Sequence, residues 1–158
     1  MRPTISILVT IWLFTGCVNR EAKQMNLSTD VNALSRLIRL PYQPRSVRWT
    51  QIKMGKIGLG PSDYGLIAVL EYDDAICAGI LAKSTPELEG NPAILTKEEA
   101  GGWLFPLVRN QLEPNGDHYY KIKGTAFRPT LFAHSPFLIG YVIRIENTNF
   151  LLLALSTT

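Results

Sequence analysis

The sequence contains two histidines, the residue type that most often acts as a general base near neutral pH. Each is next to a residue of another type that is common in catalytic sites. His118 follows Asp117, and His134 precedes Ser135. Because catalytic triads are defined by geometry and not by chain order, these residues could assemble a Ser/His/Asp site for hydrolysis. However, Ser135 precedes Pro136 and lacks the Gly-x-Ser-x-Gly elbow that exposes a nucleophile on a sharp turn. We therefore predict ordinary loop residues, and an envelope hydrolase that uses His118 or His134 is the second functional hypothesis.

The metal-ligating residue types form no recognisable pattern. A zinc site needs three or four ligands, and the two histidines stand far apart without a His-x-x-Glu-His or paired-cysteine frame. The sequence therefore predicts no metal and no cofactor. Cys77 falls on the apolar side of a predicted helix, which favours a buried structural thiol over a reactive one.

Cys17 has a different chemical setting, because it ends an apolar run close to the initiator methionine. A positive residue, the apolar residues 5–14 and Gly16 before the cysteine are typical of a secretory signal peptide. The run is too short to span a bilayer, which takes about 20 apolar residues. The segment resembles the lipobox of bacterial lipoproteins, with Phe14 where that pattern usually has Leu. This resemblance, limited to the start of the chain, implies that residues 1–16 are removed and that Cys17 is acylated.

Acylation at Cys17 would hold the protein on a membrane essentially permanently, since several acyl chains bind far more strongly than one. Residues 17–26 are polar and lack periodicity, so they predict a short lipidated tether. Val18 is not acidic, and the resemblance then implies sorting to the outer membrane, with the domain facing the periplasm. The alternatives are ordinary secretion with cleavage near Gly16 and an uncleaved anchor.

The rest of the chain is long enough for one domain with a substantial core, so we predict a single domain over residues 27–158. The formal net charge is only +3 and the charges are scattered. Together with an envelope location, this balance argues against nucleic acid as a partner. If Cys17 carries lipid, Cys77 is the one remaining thiol, and packing without a disulfide must hold the fold together.

Apolar periodicity predicts an α+β domain. The predicted elements are, in chain order, a helix over 27–40, strands over 47–54 and 64–72, a helix over 74–81, a helix from Thr96 that is interrupted at 101–102 and resumes over 106–112, a strand over 119–123, and hairpin strands over 138–145 and 150–155. The helix at Thr96 would begin with a capping box that includes Glu99. This order favours an antiparallel sheet of about five strands with helices packed on one face.

The loop over residues 58–63 has the composition of a binding loop, since its glycines permit close backbone approach and its polar side chains offer acceptors. Rigid strands would present the tip of this loop, and binding residues favour such positions. The predicted partner-binding set combines the loop with neighbouring basic and aromatic residues: Arg45, Arg48, Leu59, Gly60, Ser62, Asp63, Tyr64 and the exposed members among Trp49 and Tyr72. The alternatives are a structural turn beside a solvated basic strand edge, and a functional surface on residues 103–112.

A permanent anchor joined to a domain without a catalytic constellation predicts a non-catalytic binding module. The predicted partner is a periplasmic or envelope protein. Two versions of this hypothesis stay open: an immunity protein or inhibitor that neutralises a toxin or lytic enzyme, and an accessory subunit of an envelope machine.

Overall fold

The computed structural model describes residues 26–54, 63–86 and 94–157. The strands in these ranges are β1 (Leu27–Ser28), β2 (Ser46–Met54), β3 (Asp63–Glu71), β4 (Ile94–Thr96), β5 (Leu112–Asn115), β6 (Tyr119–Ile122), β7 (Gly124–Phe127), β8 (Ile139–Ile145) and β9 (Phe150–Ser156). The helices are α1 (Val31–Ser35), α2 (Asp74–Ala82) and α3 (Pro106–Arg109). The predicted signal peptide over 1–16, Cys17 and the predicted tether up to residue 25 lie outside the described residues.

The strands form two antiparallel sheets, which confirms the predicted α+β class. The larger sheet has six strands in the order β1-β2-β3-β9-β8-β7, and the smaller has three in the order β4-β6-β5. No helix within the described ranges is long and apolar enough to cross a membrane.

Strand β9 lies near the middle of the larger sheet, paired with β3 on one side and β8 on the other. Successive side chains of a strand point to opposite faces. Leu151, Leu153 and Leu155 accordingly pack in one apolar cluster, whereas Phe150 and Leu152 pack in a second cluster on the other face. Burial on both faces explains why this segment shows no alternation of apolar and polar residues.

Different elements cover the two faces of the larger sheet. Helices α1 and α2 cover one face through Leu34, Cys77 and Ile80, together with the segment 129–137. The smaller sheet and α3 cover the opposite face, where Val108 packs in the second cluster. Two of the described helices thus share a face as expected, whereas α3 joins the smaller sheet on the other.

The first predicted helix is much shorter than the apolar spacing over 27–40 indicates. The Asp30 carboxylate accepts hydrogen bonds from the backbone amides of Asn32 (2.8 Å) and Ala33 (3.0 Å), so α1 begins only after Asp30. Before it, Leu27 and Ser28 pair with β2 as a two-residue edge strand. The apolar spacing correctly predicts that the side chains of Leu34 and Ile38 are buried. However, the chain after α1 forms compact turns, and Ile38 is buried there although the helix has already ended.

The predicted capping box forms, although no helix follows it. The Thr96 amide donates to the Glu99 carboxylate at 2.7 Å, and the Glu99 amide donates to the Thr96 hydroxyl at 3.1 Å. One further bond, from the Ala100 amide to the Thr96 carbonyl (2.9 Å), closes a single turn. The chain then bends at residues 101–102 until α3 begins at Pro106, where proline suits the first helical position.

The antiparallel register defines two ends of the larger sheet. At the first end, Lys53 lies opposite Tyr64, and Tyr64 exchanges hydrogen bonds with Thr157. Strand β1 runs antiparallel to β2, with Leu27 opposite Thr50 at the middle of β2 and Ser28 opposite Trp49. We call the end at Lys53 and Tyr64 the tether end, because β1 begins on that side of Ser28, after the tether predicted for residues 17–26. The opposite end, which carries the β8–β9 turn at residues 146–149, is the turn end.

Candidate functional site

The described members of the predicted partner-binding set lie at different ends of the larger sheet. Arg45 lies at the turn end, where its amide donates to the Glu71 carbonyl at 2.8 Å. Asp63 and Tyr64 lie at the tether end, on the far side of the nine-residue strand β2. At about 3.4 Å per residue, roughly 27 Å separates the two groups. Leu59, Gly60 and Ser62 lie outside the described residues.

The two predicted arginines have internal contacts. Arg45 forms a surface ion pair with Asp73 at the turn end. The Arg48 guanidinium donates to the Trp103 carbonyl at 2.7 Å and lies 4.3 Å from the centroid of the Phe105 ring. Arg48 therefore fastens the segment before α3 to the sheet, which differs from the expected solvated strand edge.

Of the three aromatic residues in the predicted set, only Tyr64 is exposed, with 42% of its surface accessible. Trp49 is buried, and its indole N–H donates to the Asp30 carbonyl at 3.1 Å. Tyr72 is fully buried, and its hydroxyl donates to the Tyr42 carbonyl at 3.3 Å. Burial, with a smaller contribution from Cys77, raises the pKa of Tyr72.

The structure does not bring the two histidines together. His118 is exposed in the turn before β6, whose Ile122 packs in the cluster under the smaller sheet. His134 is exposed in the segment 129–137, whose Phe132 packs in the cluster on the opposite face. Among the described residues, no three or more His, Cys, Asp or Glu side chains are grouped to hold a metal ion.

A groove lined by charged side chains lies at the turn end of the larger sheet. Two open hollows, of about 480 Å³ and about 660 Å³, share Arg144 and Asn147 as lining residues. Gly124, Thr125 and Glu146 line the first hollow; Asp74, Ala78 and Leu107 line the second. We call this surface the Arg144 groove.

Arg144 lies on β8, facing the side of the sheet that α2 covers. Its register neighbours are Thr125 and Leu151, and its side chain is half-buried. Burial raises the pKa of the Cys77 thiol, and the nearby Arg144 guanidinium opposes that shift. Within the described ranges, Arg144 forms no hydrogen bond or ion pair, and it lines both hollows.

The rim of the groove is held by hydrogen bonds within the β8–β9 turn. Asn147 adopts a left-handed conformation (φ 55°), which asparagine tolerates better than most residues. The Thr148 hydroxyl donates to the Ile145 carbonyl at 2.9 Å and accepts from the Phe150 amide at 3.2 Å. The Asn149 side-chain amide donates to the Tyr72 carbonyl at 2.7 Å, which ties the turn to the segment leading into α2. A rim fixed in this way needs little ordering on binding.

The chemistry of the groove suits a polypeptide segment with groups of both charges. An unpaired guanidinium can bind a carboxylate through two parallel hydrogen bonds. The carboxylates of Asp74 and Glu146 can bind basic or N–H groups nearby. Leu107, with 58% of its surface accessible, adds an apolar contact at the edge.

Sequence reasoning missed Arg144 because the residue lies inside a strongly apolar strand. A signal was present: in residues 141–145 (Tyr-Val-Ile-Arg-Ile), the arginine is the one charged side chain. A cation within a strand of the central sheet needs a partner or access to solvent. Leu107, in contrast, belongs to the segment 103–112 that the sequence offers as an alternative surface.

A smaller cavity, of about 170 Å³, lies between the two sheets toward the tether end. Its lining is mainly apolar and includes Ile52, Leu95, Tyr141 and Leu155. The Tyr141 hydroxyl donates to the Ile94 carbonyl at 2.9 Å. Burial, with a smaller contribution from the Glu99 carboxylate, raises the pKa of Tyr141 to about 12.

This raised pKa predicts a loss of stability in alkaline solution. A tyrosine of the unfolded chain ionises near pH 10, whereas Tyr141 keeps its proton to about pH 12 in the folded state. Between these values unfolding releases a proton, so the free energy of unfolding should fall by up to about 1.4 kcal/mol per pH unit. Tyr141→Phe should remove this contribution to the slope in urea titrations at a series of pH values. Tyr119→Phe, at an exposed position, is the control and should leave the slope unchanged.

Comparisons of the chain with protein-family models, with curated proteins and with solved structures give no match. The function is therefore inferred from the residues themselves. The observation that bears on it is Arg144 in its groove, without a hydrogen bond or ion pair among the described residues.

Proposed function

We propose that this protein is a lipid-anchored lipoprotein of the bacterial envelope, and that its domain is a non-catalytic module that binds another protein through the Arg144 groove. Cys17 carries the anchor, and the domain faces the periplasm from the outer membrane, the sorting that Val18 implies. The partner is a periplasmic or envelope protein. The single observation that supports the binding site best is the half-buried guanidinium of Arg144, which has no partner in the described ranges.

The energetic reason is the cost of leaving such a group without a partner. A half-buried guanidinium loses part of its hydration, and that loss is offset only when a counter-charge or acceptors meet its donors. A carboxylate of a partner would supply them in a fixed, bidentate geometry. The hollows on either side of Arg144 give a peptide segment room to reach it.

The proposal predicts that Arg144→Glu abolishes capture of the partner. Acylated full-length protein with a C-terminal tag would be used to capture partners from detergent-solubilised envelopes, with a lipidated control domain for background. Reversal of the charge should reduce the captured partner at least about tenfold, as expected when one member of a desolvated charge pair is reversed. Arg144→Lys should retain part of the binding, because it keeps the charge but loses the planar fork.

Arg128→Glu is the matched control, since Arg128 is exposed and follows β7 at its end farther from the groove. It makes the same change of net charge and should leave capture intact. Equal capture by the Arg144→Glu and Arg128→Glu variants would refute the groove as the binding site. No protein enriched over the lipidated control domain would refute the binding function itself.

The two versions of the function differ in their partner. An immunity protein or inhibitor would capture a toxin or lytic enzyme and suppress its activity, and a toxin gene would stand next to its own gene. An accessory subunit would capture a resident component of an envelope machine. The identity of the captured protein distinguishes them.

A further inference from the structure

Four basic residues lie on the side of the larger sheet that α1 and α2 cover. Arg36 and Arg39 follow α1, Lys83 follows α2, and Arg128 follows β7. All four are exposed, and none of them forms an ion pair within the described ranges. We call these four residues the basic face.

Backbone hydrogen bonds join the three segments that carry the basic face. The Arg39 amide donates to the Phe132 carbonyl at 2.9 Å, and the Arg128 amide donates to the Thr85 carbonyl at 2.9 Å. Arg128 and Phe132 are themselves connected by a tight turn, in which the Phe132 amide donates to the Pro129 carbonyl at 2.8 Å. The basic side chains therefore belong to neighbouring segments of one surface.

These segments contain no acidic residue. Residues 31–43, 80–86 and 128–137 hold four Lys or Arg residues and no Asp or Glu. Asp30 and Asp74 are on the same side of the sheet, but they lie at the N-terminal ends of α1 and α2, whereas the basic residues follow the C-terminal ends. Positive charge is thus separated from negative charge along this side of the domain.

The smaller sheet, on the opposite side, has balanced charge. Residues 94–123 contain four Lys or Arg residues and four Asp or Glu residues. Lys123 and Glu113 form an ion pair between β6 and β5 at 2.9 Å. An anionic surface would therefore attract the side that carries the basic face more strongly than the smaller sheet.

A layer of phosphate groups fits the chemistry of the basic face. Three of its four residues are arginines, whose guanidinium groups bind phosphate oxygens through paired hydrogen bonds. Tyr42 lies beside them, because Lys83 Nζ donates to its hydroxyl at 3.3 Å, and 39% of its surface is accessible. Basic side chains next to an amphipathic tyrosine ring suit the headgroup region of an anionic bilayer.

The proposed anchor supplies such a bilayer within reach. The tether predicted for residues 17–26 averages about 17 Å in length when flexible. It leads to Leu27, which lies opposite Thr50 at the middle of β2, so tether length does not select the side of the domain that faces the membrane. Charge can select it, because each basic residue near an anionic surface favours contact about fivefold.

We propose that the basic face docks on anionic phospholipid headgroups and holds the side covered by α1 and α2 against the bilayer. This inference rests on the proposed lipid anchor and adds an electrostatic contact that orients the anchored domain. The Arg144 groove is a separate surface: Asp74 lines it at the start of α2, and Lys83 lies about 14 Å away at the other end of that nine-residue helix.

The test uses nitroxide labels on the acylated full-length protein in vesicles of phosphatidylethanolamine and phosphatidylglycerol. Single labels are attached through Gln43→Cys and Thr130→Cys, at exposed positions in the segments of the basic face. Tyr119→Cys, at an exposed position on the smaller sheet, is the matched control. A Cys77→Ala background leaves no competing thiol, because the thiol of Cys17 carries lipid under the proposal.

An uncharged nickel chelate should collide with the labels at positions 43 and 130 at least about fivefold less often than with the label at position 119. Vesicles of phosphatidylcholine alone should abolish this protection, and so should salt at about 1 M, where the screening length is about 3 Å. Equal access of the chelate at all three positions, in protein that floats with the phosphatidylglycerol vesicles, would refute the docking while the anchor stands.

Arg36→Glu combined with Arg39→Glu should also expose positions 43 and 130 to the chelate. Lys97→Glu combined with Lys121→Glu is the matched control, because both lysines are exposed on the side of the smaller sheet and the change of net charge is the same. This control should keep the protection. Protection that survives in the arginine double variant, or in phosphatidylcholine vesicles, would overturn a contact based on charge.

Protein that does not float with the vesicles would refute the anchor, and the docking with it. Protection at positions 43 and 130 that occurs in native envelopes but not in pure vesicles would show that a protein covers the basic face, and it would also overturn the proposal.

Discussion

Replacement of Gly140 by alanine is expected to lower the free energy of unfolding by at least about 3 kcal/mol. Gly140 has a φ of +137°, a conformation that residues with a side chain rarely adopt. A Cβ at this position would also meet the backbone carbonyl of Ala154. Ala154 belongs to β9, which is paired on both sides, so its backbone cannot move aside without disturbing the larger sheet.

Urea unfolding followed by the fluorescence of the buried Trp49 and Trp103 would measure this loss. Gly79→Ala is the matched control, because Gly79 lies within α2 and an added Cβ would meet nothing within 4 Å. Alanine favours helix there, so this variant should gain about 0.5 to 1 kcal/mol. Equal urea midpoints for the two variants would contradict the backbone geometry described for Gly140.

Replacement of Cys17 by alanine is expected to eliminate acylation and the processing that follows it. In cells fed a labelled fatty acid, the protein that retains Cys17 should carry the label, and the Cys17→Ala variant should carry none. Each buried methylene of an acyl chain contributes roughly 0.8 kcal/mol to membrane binding, so loss of all chains removes the anchor. Mass spectrometry of the purified protein would show whether residues 1–16 are still attached.

Cys77→Ala is the control for this experiment, since Cys77 is the other cysteine of the chain and its side chain is buried. It should leave both the label and the processing unchanged. Label on the Cys17→Ala variant, or an unlabelled parent protein cleaved after Gly16, would refute lipidation. The second outcome would establish ordinary secretion in its place.

The parts of the fold that the sequence predicts well are those in which burial dictates residue type. The run at 66–70 and the hairpin strands at 139–145 and 150–156 have continuous apolar patterns, because β3, β8 and β9 are covered on both faces. The strands at β4, β5 and β7 escape prediction because three or four residues show a period of two only weakly; β6 is as short, but its Tyr119, Tyr120 and Ile122 are typical strand residues. Pro114 in β5 further hides that strand, since proline is tolerated on such an edge but is not typical of strands.

The candidate site was less predictable, because it depends on which residues the register brings together. Arg45 and Tyr64 are near in the sequence, but the β2–β3 pairing places them at opposite ends of the sheet. Arg144 and Asp74 are far apart in the sequence, and they line one groove only because α2 packs across β8. A glycine-rich loop can be proposed as a binding site from its composition alone. A single arginine in an apolar strand can be recognised as part of a site only when its neighbours in the folded structure are known.

The proposed arrangement, with Cys17 in a membrane and a partner in the Arg144 groove, has a mechanical consequence. A pull between the two would act along the strands and would enter the larger sheet at β1 and leave it at β8, across β2, β3 and β9. The hydrogen bonds of an antiparallel sheet lie perpendicular to the strands, so they would share this load in shear instead of breaking one after another. At the tether itself, the load would fall on the pairs of Leu27 with Thr50 and Ser28 with Trp49, reinforced by the bond from the Trp49 indole to the Asp30 carbonyl. A two-residue edge strand is thus the joint through which tension from the bilayer would enter the domain.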